Sequence, residues 1–368
     1  MQSRLYPFFV KAPVILLGLI MFFFCLSILK DILIPLAIAA IVAILLNPLF
    51  TRLQKRKVPR ILAIIITLLV ALVAMTIIMY FISSQLARFS DSIPTLKERS
   101  TVLLTQSERW LKNTFGLSGD KQAAFLGQTI EKGKALLGQT VTTALGTLGL
   151  MLLIPVYVFL LLFYKPLILN FMFEIFAEEN SKQVGEILKQ TKSSIQSYMV
   201  GLLLEALVVA ALNIAALLLL GVKYAVLLGV LGALLNMIPY LGGVIAIALP
   251  LAVATMTKDG FTTHFLILGS YTLIQFIDNN ILVPRIVSSK VQINALISIV
   301  AVLLGGTLWG IAGMFLSIPF VAILKIIFDR IDDLKPWGKL LGDEVPTRHM
   351  GQIWNSWRRK PVVVQKVV

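Results

Sequence analysis

Uninterrupted apolar runs of about 18 residues or more recur along this chain, and each is long enough to cross ~30 Å of hydrocarbon as a helix. In lipid every backbone N–H and C=O must find its partner within the protein, so such runs fold as helices and not as open strands. Full spans are expected near residues 14–29, 32–50, 61–83, 144–164, 198–220 and 261–283. The composition agrees. Only 14% of residues are charged and 58% are hydrophobic, whereas a soluble domain carries about 25% charged residues for its polar shell.

Two further apolar segments are too long for simple spans. Residues 224–256 number 33 and residues 294–324 number 31, which as straight helices would measure roughly 45–50 Å. Each holds a breaker cluster near its middle. The first has Asn236, Pro239, Tyr240, Gly242 and Gly243; the second has Gly305, Gly306, Trp309 and Gly310. Proline and clustered glycine interrupt the helix ladder, and such backbone is tolerated at membrane depth only where it lines protein or water. The expected fold is therefore all-α and polytopic, with about six full spans plus two broken or re-entrant helical hairpins. Eight ordinary spans are the alternative.

Charge sets the expected orientation. The net charge is +15, from 33 Lys and Arg against 18 Asp and Glu. Between Thr51 and Arg60 stand Arg52, Lys55, Arg56, Lys57 and Arg60 with no acid, the pattern of a cytoplasmic loop. Both termini are then cytoplasmic. The hairpin reading also keeps Arg285 and Lys290 on that side. The chain divides into spans one to three (residues 1–83), an extra-cytoplasmic amphipathic helical insertion (84–143), a C-terminal membrane region carrying both broken hairpins (144–330), and a basic cytoplasmic tail (331–368). No basic stripe with interleaved aromatics lies outside the membrane flanks, so nucleic acid is not an expected partner.

Enzyme chemistry finds little footing. Cys25 is the only cysteine, and His264 and His349 are the only histidines; neither histidine has a second ligand at helical spacing. No phosphate-binding loop, GxSxG or HExxH stands in the sequence. No catalytic residue, metal or cofactor is expected.

Ionisable side chains within spans cost about 2.5–3.5 kcal/mol each on insertion scales, so each requires an account. Glu205 shares a helical face with Ser194, Tyr198, Gly201 and Asn213, and Asp278 shares one with Tyr271, Gln275 and Asn279. These carboxyls and amides, with Asn280 and Arg285, read either as a water-accessible path for a polar solute or ion, or as polar glue between helices. For Glu205, a position near enough to the interface to snorkel is a third reading. The breaker clusters join the path if their half-helix ends hold a solute or ion near the midplane. Trp309 is either an aromatic gate or an interface anchor.

Several motifs, in order, resemble the autoinducer-2 exporter family of permease-like bacterial membrane proteins. They begin with Pro35, Asn47-Pro48 and Pro59-Arg60, and continue with Leu219-Leu220-Gly221-Val222-Lys223-Tyr224 leading into the cluster at 236–243. Then come Asp278-Asn279-Asn280-Ile281-Leu282-Val283-Pro284-Arg285-Ile286, Gly306-Thr307-Leu308-Trp309-Gly310 and Ser317-Ile318-Pro319-Phe320. The resemblance implies a multi-span permease of the bacterial cytoplasmic (inner) membrane with an extra-cytoplasmic insertion after the third span. Some members are associated with export of the autoinducer-2 signal and others with sodium or lithium/proton antiport. Glu205 falls where the family is usually apolar, and Leu202 where glutamine is frequent.

The expected function is a secondary transporter that exports a small polar solute, of which an autoinducer-2-like signal is one. A Na+(Li+)/H+ antiporter on the same scaffold is the alternative, and a non-transporting membrane scaffold is the alternative of another class. The expected partners are the lipid bilayer, the solute, H+ or Na+ as coupling ion, and further copies of the chain in a homo-oligomer.

Overall fold

The computed structural model describes residues 8–90, 102, 105, 153–175, 181–238, 242–258, 260–287 and 293–343. Most of the expected insertion, Pro239, Tyr240 and the tail beyond residue 343 lie outside the described residues. The described elements are α1 (Phe8–Ile28), α2 (Lys30–Lys55), α3 (Arg60–Ser90), α4 (Leu153–Phe163), α5 (Lys165–Ile175), α6 (Ser181–Leu219), α7 (Ala225–Asn236), α8 (Gly242–Thr257), α9 (Thr262–Ile277), a π-helical segment (Asp278–Val287), α10 (Ala295–Arg330), a 3-10 turn (Asp332–Leu334) and α11 (Lys335–Leu341). The protein is an all-α polytopic membrane protein.

α1 and α3 carry apolar side chains almost all round and leave them exposed, among them Leu16, Phe22 and Phe24 on α1 and Val73, Ile77 and Tyr80 on α3. In water such surfaces would collapse; facing lipid tails they cost nothing. α3 runs to Ser90, seven residues beyond the span end expected at 83. Ala39 and Ala43 of α2 let that helix lie close against Ala63 and Ile64 of α3 and Val158 and Leu162 of α4. At Tyr164 the chain turns by 62° between α4 and α5. There the Arg60 guanidinium donates to the last carbonyls of α4, Leu162 O at 3.2 Å and Phe163 O, and lies 5.4 Å from the Phe163 ring centre. The carbonyls left free at a helix C-terminus are thus capped by a cation from another helix.

α6 has 39 residues and so measures about 58 Å, far more than the hydrocarbon thickness. Its polar first half continues into the apolar second half without a break. Arg330 at the end of α10 fastens that polar half, pairing with Glu186 and donating from Nη2 to Gln190 Oε1 at 3.1 Å.

Both over-long segments fold back on themselves. In the first, α7 and α8 are roughly 18 and 24 Å long, too short to cross singly. They pack antiparallel, so that a Cβ on Gly232 would lie 3.4 Å from Ala246 Cβ. The turn is tight enough that a Cβ on Gly242 would fall 1.9 Å from Leu235 O, which leaves glycine as the residue that fits. In the second, α10 is broken at Trp309 (φ −131°) and Gly310 (φ 61°, ψ −141°), a backbone conformation that side-chain-bearing residues rarely adopt. Ser317 Oγ donates to Ala301 O at 2.8 Å; in a straight helix those residues would be ~24 Å apart. Asn294, before the first leg, donates to Leu340 O and Gly342 O, beyond the second. Length and apolarity alone count α10 among five membrane-crossing helices of the described residues, yet these contacts make it a hairpin.

α9 widens into the π-helical segment at Asp278. Pro284 has no N–H to give, and in an α-helix its ring would meet the carbonyl of Asn280 four residues earlier. Such wide turns are rare and gather at functional sites.

Candidate functional site

Asp278 stands where α9 becomes the π-helical segment and is 2% exposed. Its Oδ2 accepts from Asn236 Nδ2 at 2.8 Å and from Gln275 Nε2 at 3.3 Å, and Gln275 Nε2 also donates to Asn279 Oδ1 at 3.2 Å. Asn236 closes α7 at the hairpin turn, so the broken helix delivers an amide to the carboxyl. Glu205 of α6 is 5% exposed, and it lines the same cavity as Asp278. Glycine at 243 admits the Gln275 amide: a Cβ there would fall 2.6 Å from Gln275 Oε1.

These groups face a cavity of about 580 Å³ between α6, the α7–α8 hairpin, α9 with its π-helical extension, and the legs of α10. Its apolar wall comes from Leu202, Met237, Ile247, Val283 and Ile318, and Tyr198 and Ser298 add hydroxyls. No Lys, Arg or His stands in this lining. Carboxyls buried without a basic counter-charge are costly, and amide donors compensate them only in part. The space thus favours hydrogen-bonding solutes that are neutral or positive and disfavours anions.

Of the residues expected to form the path, Glu205, Asn236, Gly243, Gln275, Asp278 and Asn279 come together in this lining. Gly242 acts next to it, in the hairpin turn. Asn280 turns away: it is exposed, and its Nδ2 donates to Phe276 O at 2.8 Å. Arg285 is exposed and outside the lining. Gly305, Gly306, Trp309 and Gly310 form the break of α10, also outside the lining. There Trp309 Nε1 donates to Leu26 O at 3.0 Å and its ring packs edge-on against Phe320, so the indole anchors this hairpin to α1. Pro239 and Tyr240 lie outside the described residues.

Sequence reasoning missed Ser298 and Ile318, which reach the cavity from opposite legs of α10. The available signal for Ser298 was its spacing of four from Asn294, whose carbonyl accepts its hydroxyl at 3.0 Å. Ile318 stands in the Ser317-Ile318-Pro319-Phe320 motif, but nothing in the sequence turns it toward the cavity.

The sequence model of AI-2E family transporters matches residues 16–333. Over 332 residues the chain is 26% identical to the AI-2 transport protein TqsA of Escherichia coli K12, covering 90% of this chain and 95% of that one. It is 26% identical to the putative transport protein YhhT of the same organism over 320 residues, covering 86% and 89%. With the putative transport protein YrrI of Bacillus subtilis the identity is 26% over 311 residues, covering 82% and 86%.

Proposed function

We propose that this chain, which belongs to the AI-2E transporter family, is a secondary transporter that carries a small, uncharged polar solute outward through the cavity around Asp278. The observation that carries this reading is the cavity itself. A space of about 580 Å³ lined by two carboxyls and three amides lies among helices that are otherwise apolar. Such clefts, largely apolar with a few convergent polar groups, are the usual form of small-molecule sites. Amides that both donate and accept suit a solute with several hydroxyls, and a signal of the autoinducer-2 kind, named for one relative, is a candidate cargo.

Flanking short, broken helices supply elements that can move against the long α6 and against α9 with its π-helical extension, as in transporters that alternate access around a midplane site. The absence of a phosphate-binding loop from the sequence favours a solute or ion gradient over ATP as energy source. The basic run from Arg52 to Arg60 favours a cytoplasmic loop there, with both termini on the same side of the bacterial inner membrane.

Proteoliposomes holding the full chain test the reading with neutral polyhydroxylated solutes under imposed proton and sodium gradients. Uptake above empty liposomes is expected, with anionic analogues excluded. Asp278→Asn and Asn279→Ala abolish or strongly reduce it while the protein still reaches the membrane. Flux that never exceeds empty liposomes, for any solute or gradient, would instead mark a non-transporting scaffold.

A further inference from the structure

The elbow between α4 and α5 gathers positive charge from three helices. Arg60, at the start of α3, caps the last carbonyls of α4 through Nη2. Lys165, the first residue of α5, donates from Nζ to Oδ1 of Asn47 on α2 at 2.9 Å, and Asn47 is 6% exposed. Lys192 comes from the polar half of α6, along which α5 runs antiparallel. Five residues join the two helices, and a Cβ on Gly185 of α6 would lie 3.6 Å from Phe173 Cε1 of α5. From that contact, the stretch back to Lys165 and the stretch forward to Lys192 are each about 10–12 Å of helix, so the two lysines stand at one level. Burial, and then the positive charges of Lys192 and Arg60, push the Lys165 ammonium below the usual lysine range. None of the three cations pairs with an acid among the described residues. Like charges gathered without an acid repel, and an anion between them removes that cost. An ammonium has three N–H groups, and Asn47 takes only one of those on Lys165.

We propose that this elbow binds the phosphate group of an anionic phospholipid between Lys165 and Lys192. Arg60 adds its charge to the site while its Nη2 stays on the α4 carbonyls. Basic pockets between membrane helices take such headgroups. The neighbouring surface of α4 favours a lipid phosphate over a free one. Val156, Leu160 and Tyr164 follow one another at intervals of four, so they share a face, and all three are exposed. This stripe leads along α4 to Lys165, with the Tyr164 ring at the interface end, where aromatic side chains gather. An acyl chain lying on it brings its phosphate to the two ammonium groups, whereas a free phosphate gains nothing from the stripe. Arg52, Lys55, Arg56 and Lys57, exposed on the run that leads to Arg60, disfavour a headgroup that carries its own cation. The site shares no residue with the lining of the solute cavity, so it stands or falls apart from the transport reading.

Native mass spectrometry of the full chain, purified in detergent and titrated with dioleoylphosphatidylglycerol, is the test. One saturable lipid per chain is expected. Its affinity falls about tenfold or more in Lys165→Gln and in Lys192→Gln, the loss expected for a hydrogen bond to a charged group. Lys165→Arg keeps the charge and a donor for Asn47, and retains binding. Lys192 is exposed, so loss of fold does not account for the effect of its variant. Lys339→Gln on α11 removes the same charge elsewhere and binds like the wild type. Neither dioleoylphosphatidylcholine nor millimolar inorganic phosphate displaces the bound lipid. No saturable binding, an equal loss in Lys339→Gln, or displacement by phosphatidylcholine would overturn the site and leave only a general attraction of a basic face to anionic lipid. Displacement by inorganic phosphate would assign the elbow to a free phosphate and overturn the lipid.

Discussion

The two hairpins look alike in sequence and differ in what they do. Each is an over-long apolar segment broken near its middle by glycine, and each folds back so that its two legs pack against each other. In the α7–α8 hairpin the break carries Asn236, which donates to Asp278 in the cavity wall. In α10 the break carries Trp309, which donates to the backbone of α1, and the hairpin touches the cavity only from its legs, through Ser298 and Ile318. A helix break therefore supplies geometry alone. The polar side chain seated at the break decides whether that geometry reaches the cavity wall or a neighbouring helix.

The sharpest way to break this contrast is to make the first hairpin as apolar at its turn as the second. Asn236→Leu removes a hydrogen bond to a buried carboxylate, and bonds to charged groups contribute about 1.5–3 kcal/mol. Flux per folded molecule in proteoliposomes is expected to fall on the order of 10- to 100-fold, alongside a loss of a few degrees in melting temperature. Wild-type flux from Asn236→Leu would dissolve the functional distinction between the hairpins.

The second hairpin should answer in stability instead. A Cβ on Gly305 would lie 2.4 Å from Gly313 O and 2.2 Å from Ser317 Oγ, so Gly305→Ala forces the legs of α10 apart. Overpacking of this kind typically costs about 1–3 kcal/mol. The melting temperature in detergent is expected to drop while flux per folded molecule stays near wild type. A Gly305→Ala protein that melts normally but has lost transport would place the α10 hairpin in the path after all.

What the sequence made legible follows the same line. Helical spacing placed Gln275, Asp278 and Asn279 together, and bilayer energetics singled out Glu205, because both arguments need only one helix and its surroundings. The reading failed where a second element decides. Asn280, two residues past Asp278, points away from it in an α-helix as in the wider one, whereas Arg285, seven residues on, would return to the Asp278 face of an α-helix and is carried out of the lining by the wider π-helical turn. Trp309 offered a gate and a membrane-interface anchor equally; its bond to Leu26 O on α1, far away in sequence, is a contact that neither reading contained. Asn213 and Tyr271 were each visible on a polar face. That both border one small space beside Asp278 follows from how α6 packs against α9, which no single-helix periodicity contains.

A smaller effect sharpens the anchoring role. Trp309→Phe keeps the edge-on packing against Phe320 and deletes the indole N–H that Leu26 O accepts. A neutral hydrogen bond contributes about 0.5–1.5 kcal/mol, so a loss of a few degrees in melting temperature is expected, with flux intact. If Trp309→Phe instead slows transport without moving the melt, the indole gates and does not anchor.

The weakest tie separates the hairpins' outer attachments from their tips. Past the second leg of α10, Arg330 pairs with Glu186 and reaches Gln190 on the polar half of α6, while Gln183 Nε2 donates to Arg330 O. The paired side chains are 37% and 48% exposed, so water and salt screen them, and exposed pairs contribute about 0–1 kcal/mol. Glu186→Gln should therefore lower the melting temperature by no more than a degree or two at low ionic strength, and by nothing measurable near 1 M salt, where the screening length falls to ~3 Å. Gln183 still holds the Arg330 carbonyl in that variant, so the helix end stays docked. A large, salt-independent loss in Glu186→Gln would mean that α6 and the second hairpin move as one rigid unit through this contact. The legs of α10 would then belong with the mobile elements and not with the anchor.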